Sequence, residues 1–121
     1  MALVEQAPEP CLPIEEVTVD SLGGEVFVRG MDMPQMLQYI AGRRAAAAPR
    51  NGETEDEANM RAGTEAVAKA LAVTVLKANK QPLYTEQQWR AWGAQHLPEV
   101  MRLYAVSMRL SGQDGEAERG N

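Results

Sequence analysis

The chain has 121 residues, 45% of them apolar, and a net charge of −5. That suffices for one domain with a modest core, and the only basic cluster, Arg43 and Arg44 with Arg50, is too short for the cationic face that a phosphate backbone requires. One Cys excludes an internal disulfide, and the longest apolar run, ALAVTVL, is too short to span a bilayer. The start MALVEQAPEP has no basic region before an apolar run, so it does not read as a signal peptide. A soluble protein of a reducing compartment is expected. Aromatic residues make up 5%, so Leu, Val, Met and Ala must build the core, and the seven Met can fill irregular gaps or adaptable surfaces.

Residues 1–14 read as a flexible arm. Pro8, Pro10 and Pro13 fix backbone angles and remove donors. Glu5, Glu9, Glu15, Glu16 and Asp20 place five acids and no base in the first twenty residues, so the remaining chain is balanced.

The stretch VTVDSLGGEVFVRG (17–30) predicts a β-hairpin. A two-residue turn at Gly23-Gly24 would pair Val19 with Val28 and Ser21 with Val26. Val17, Val19, Val26 and Val28 then share one face, to be covered by helices, while Thr18, Asp20, Phe27 and Arg29 share the other. Both edges are expected to stay unpaired, and Phe27 is the candidate for self-association.

Four helices are expected next. The first runs from Asp32, with Gln35 completing a capping box, to Pro49, and aligns Met33, Met36, Leu37 and Ile40 on one stripe. The second begins at Thr54 with Glu57 and continues toward Lys80. Met60, Val67, Leu71 and Val75 form its inner stripe, and Arg61, Glu65 and Lys69 form a solvated face. The third starts at Thr85 with Gln88, carries Trp89 and Trp92, and ends near Gly93. The fourth spans 98–111. At about 100° per residue its apolar side chains cover roughly 220°, against the roughly 100° that an ordinary surface helix needs. Glu99, Arg102 and Arg109 share the rest with Val106, so the helix is either sandwiched between two others or turns part of its arc to a partner. A polar tail, 112–121, has no reason to fold. The fold class is therefore mostly α: a short N-terminal β-hairpin followed by about four helices in one small domain, 15–111.

Convergent reactive groups are missing from this pattern. Cys11 sits in the arm, His96 at a helix end, and the carboxylates are scattered in first turns, so neither catalysis nor a metal or cofactor site is expected. Trp89 and Trp92 read as core, with interface anchoring as the other reading of the pair.

Three ordered motifs carry a resemblance. VTVDSLGGEVFVRGMDMPQML, LAVTVLKANKQPLYTEQQW and LPEVMRLYAVSMRLSG together resemble the small tail assembly chaperones of long-tailed bacteriophages, across about residues 15–112. Lys80 and Gln81 stand where the middle turn of such proteins usually carries Gly, and Asn79 is expected to supply the left-handed residue instead. The resemblance implies a non-enzymatic adaptor in the host bacterial cytoplasm. It would bind and solubilise the tape-measure protein during tail morphogenesis and self-associate weakly. A frameshifted extended form would recruit the tail tube protein, and the polar end is compatible with such an extension. Met33, Met36, Trp92, Tyr104 and Met108 are the candidate partner-binding residues. The alternative is an unrelated small helical adaptor or regulator, antitoxin-like or subunit-bridging.

Overall fold

Ile14–Val19 alternates between exposed and covered positions and forms strand β1. It is followed by a 3-10 turn, Asp20–Leu22, and strand β2, Gly24–Arg29. These elements are seen in a computed structural model, which describes residues 2–113; the expected polar tail from 114 onward lies outside the described residues. The helices are α1 (Met33–Ala46), α2 (Glu55–Thr74), α3 (Glu86–Gly93) and α4 (Leu97–Leu110), and a third strand, β3 (Val75–Leu76), follows α2. Four helices with a small antiparallel sheet agree with the mostly α expectation.

The hairpin differs from the expected one in its turn. Val19 pairs with Gly24 and Val17 with Val26, and both glycines have positive φ, Gly23 at 91° in the left-handed helical region and Gly24 at 154°. The connection is therefore longer than two residues. The register moves by four positions, an even number, so every side chain keeps its face. Val19, Val26 and Val28 are buried and Val17 is half-covered.

A larger difference lies in the strand count. The second helix was expected to run on to Lys80, but it stops at Thr74, and Val75–Leu76 pair antiparallel with Val28 and Phe27. The β-branched run Val73, Thr74, Val75 favours that extended exit. The sheet order is β1-β2-β3, so β2 is central and its edge is not unpaired. The turn beyond β3 places Lys80, not Asn79, in the left-handed region at φ 64°. Asn79 Oδ1 instead accepts from the Gln81 N–H at 3.0 Å.

The three expected capping boxes are present at Asp32–Gln35, Thr54–Glu57 and Thr85–Gln88. Each satisfies two helix N–H groups that would otherwise be unpaired.

The main core joins Val19, Val26 and Val28 of the sheet to Ala68 and Leu71 of α2, Val75 of β3, Trp89 of α3, and Val100 and Leu103 of α4. A second cluster gathers Met31, Ala70 and Met108 with Met36, Tyr39 and Tyr104 around it. Full burial of each large aliphatic side chain contributes about 1.5–3 kcal/mol.

α2 turns differently from the expected stripe. Its buried residues are mostly alanines, among them Ala58, Ala62 and Ala66. Ala62 and Ala66 lie opposite Tyr39, Gly42 and Ala46 of α1, and their small side chains let the two helices approach. Met60 is left outside, 76% exposed. Arg61 is not simply solvated either: it grips Glu53 through Nε and Nη2, both at 2.8 Å. Glu65 stands 3.6 Å from Arg50 and 3.7 Å from Arg61.

The polar side of α4 is exposed, and two of its arginines reach across to the edge strand β1. Arg102 donates to the Thr18 carbonyl at 2.6 Å, and Arg109 pairs with Glu15 at 2.8 Å. At the far end of α4 the chain comes very close to Gly30. A Cβ there would overlap the Leu110 carbonyl oxygen and lie 2.9 Å from its carbon. Beside it, Met31 N–H donates to Ser111 Oγ at 2.8 Å.

Candidate functional site: an apolar groove between the helices

Covering one side of α4 with the sheet leaves part of its wide apolar arc over. Val100, Leu103 and Met108 are buried, whereas Leu97 is 59% and Met101 46% exposed. These two form the rim of a groove of about 490 Å³ between α2, α3 and α4. Val67 and Leu71 of α2 and Trp89 of α3 contribute apolar wall, and Tyr104 closes the α4 side.

Two glycines keep the groove open. Gly63 has nothing within 4 Å of the place a Cβ would occupy, and at Gly93 the Val100 side chain would meet that atom at 3.2 Å. Only two charged residues line the groove, Arg43 and Arg90, both cationic. Arg90 is paired with Glu86 at 2.8 Å. Arg43 has no carboxylate in ion-pair range among the described residues; its Nη1 donates to Tyr39 Oη at 3.1 Å. Tyr39 Oη in turn bonds Tyr104 Oη. Burial, helped by that bond, pushes the Tyr104 phenol well above its ordinary pKa, so it stays a neutral hydroxyl at the groove edge.

Trp89 is 2% exposed and packs edge-on against Tyr84 and Trp92, with centroids at 5.0 and 5.6 Å. Its Nε1–H has no hydrogen-bond partner among the described residues, an arrangement that costs free energy until an acceptor reaches it.

The expected partner-binding residues do not form one patch. Tyr104 borders the groove. Met33 stands on the outside of α1, 76% exposed. Met36 is half-buried against the second core cluster. Trp92 is half-buried between Trp89 and a stacked His96, whose ring centroid lies 4.4 Å away. Met108 is buried with Met31 and Ala70 and has no side-chain surface to offer; the turn of α4 that brings Val100 and Leu103 to the sheet carries it inward. Phe27 is half-buried beneath the Lys80 ammonium, 5.5 Å from its ring centre.

Leu97, Met101, Val67, Gly63 and Arg43 were not among the expected partner-binding residues, although Val67 was placed on the inner stripe of α2 and Arg43 in the basic cluster. Leu97 and Met101 belong to the apolar arc of α4, but only the placement of α2 and α3 decides which part of that arc is left uncovered.

Among the described residues no three His, Cys, Asp or Glu side chains converge as a metal site would require. Cys11 is exposed on the arm, apart from the groove lining. No helix of the described residues is long and apolar enough to cross a membrane. Comparison with protein families, curated proteins and solved structures gives no match to this chain. The site is therefore read from its own geometry.

Proposed function

We propose that the chain is a tail assembly chaperone of long-tailed bacteriophages, and that the α2–α3–α4 groove with its Leu97–Met101 rim holds an apolar stripe of a helical tape-measure segment. The observation that carries this reading is apolar surface left over after folding, on the helix whose apolar arc is widest. Such surface, contiguous and rimmed by polar groups, marks binding sites in small soluble domains. Exposed Met33, Leu37 and Ile40 on α1 add further apolar contact area of the kind adaptable binders use. The three ordered sequence motifs supply the link to tail assembly, and the host cytoplasm is the compartment that goes with it.

The test is co-expression with the tape-measure protein encoded in the same genome. The tape-measure protein is expected to become soluble and to co-purify. Gly63→Leu, which fills open space on a helix, and Met101→Asp, which puts a charge on the rim, are each expected to abolish co-purification while the circular dichroism spectrum is kept. A tape-measure protein that stays insoluble beside folded wild-type chain would overturn the reading in favour of a different adaptor role.

A further inference from the structure

The groove has a second candidate occupant within the chain itself. Residues 2–13 form no helix or strand, and every one of them is exposed. Leu3 and Val4 are 91% and 81% exposed, an unusual position for two adjacent large apolar side chains. Glu5 follows directly, and the arm carries no base. Pro8, Pro10 and Pro13 bias the arm toward an extended conformation with its carbonyl oxygens free.

Each of these properties has a counterpart in the groove. The apolar walls fit Leu3 and Val4. The Arg43 guanidinium, without a carboxylate among the described residues, fits Glu5 or Glu9. The Arg43 N–H groups can also meet a carbonyl of an extended segment, whereas a helix spends its carbonyls internally. Aromatic-lined grooves that bind proline-rich extended segments use the same combination.

The root of the arm decides whose groove is filled. β1 meets α4 on the side of Arg102 and Arg109, while the groove uses Leu97, Met101 and Tyr104. At about 100° per residue these sides lie roughly 120° apart around α4. The arm is thus rooted on a side of α4 away from its own groove, and residues 2–13 stay exposed in the single chain.

The geometry points to docking of the N-terminal arm of one copy in the α2–α3–α4 groove of a second copy, through Leu3, Val4 and an acidic residue on Arg43. The contact joins two different surfaces, so the rotation between copies decides whether it is exchanged reciprocally, closes into a ring or runs on as a string. It goes beyond the proposed client: the arm holds the groove in the free protein and must leave when another segment enters.

The experiment needs no client. Sedimentation equilibrium of the full chain is expected to show a mass that rises with concentration and falls with added salt. Deletion of residues 2–12 is expected to give a monomer at every concentration. A fluorescent peptide of residues 1–13 is expected to bind the deleted protein, roughly fivefold more weakly after Arg43→Glu and undetectably after Gly63→Leu. A monomeric full chain that blocks the peptide would place the arm in its own groove and overturn the second-copy assignment. A peptide that fails to bind, or binds the Gly63→Leu protein equally, would overturn the docking altogether. None of these outcomes depends on whether the tape-measure protein is the client.

Discussion

Ser107 donates its hydroxyl to Thr74 Oγ1 at 2.9 Å, and both side chains are wholly buried. Thr74 passes the bond on to the Ala70 carbonyl at 2.7 Å. A polar pair thus joins the last turn of α2 to α4 inside an otherwise apolar core, at the point where α2 gives way to β3. Thr74→Val leaves the Ser107 hydroxyl buried without its partner and is expected to cost about 1–3 kcal/mol in urea unfolding. The double change Thr74→Val, Ser107→Ala is expected to cost less than the two single changes added, since the orphaned group is then gone. Strict additivity would show that the two hydroxyls are not coupled.

Gly30 and Gly63 make opposite predictions for one substitution. Gly30→Ala drives a methyl group into the Leu110 carbonyl, and backbone cannot give way as a side chain tip can. A loss of about 1–3 kcal/mol is expected. Gly63→Ala places a methyl in open space on a helix and is expected to gain about 0.5–1 kcal/mol. Thermal unfolding of the two variants beside the parent checks both signs.

Lys80 holds a left-handed backbone without being glycine, which costs about 1–2 kcal/mol. Its ammonium recovers about 0.5–1 kcal/mol over the Phe27 ring. Lys80→Gly is therefore expected to leave stability unchanged or raise it by up to about 1 kcal/mol, while Lys80→Val is expected to lower it, as a β-branched residue resists this conformation. Chemical denaturation midpoints distinguish the two.

The Arg61 guanidinium, with help from the Arg50 N–H, holds the Glu53 carboxyl at about 2, below its ordinary value of 4.5. The folded-state pKa is lowered, so the stabilisation from this carboxylate is complete above pH 4.5 and is lost as the pH falls toward 2. The stability difference between the parent and Glu53→Gln is expected to be constant above that range and to shrink through it. A difference that does not change with pH would show that the bidentate contact adds nothing in solution.

Much of this architecture was legible because local signals were strong. Asp32–Gln35, Thr54–Glu57 and Thr85–Gln88 fix helix starts through side chains three residues apart, a purely local device. The valine face survived a wrong turn because a strand has period two and the register error was even. What escaped the reading was set by distant partners. Val75 and Leu76 continue a helical pattern, and only the waiting edge of β2 makes them a strand. Met60 was placed inside because Met outranks Ala in hydrophobicity, yet the close approach of α1 selects Ala58, Ala62 and Ala66. The groove escaped for the same reason: the surplus arc of α4 could be read, but whether Met101 or Met108 remained outside depended on the sheet claiming one side of the helix.

Among the described residues α1 is the one α-helix without a buried residue, although its Arg43 lines the groove and its Tyr39 bonds Tyr104 at the edge. Its amides are expected to exchange with deuterated solvent before those of α2 and α4, because none of its own side chains is fully buried. The flank of the cleft is thus tied to the second core cluster through Met36 and Tyr39, so a guest that displaced α1 would also have to uncover the alanine face of α2.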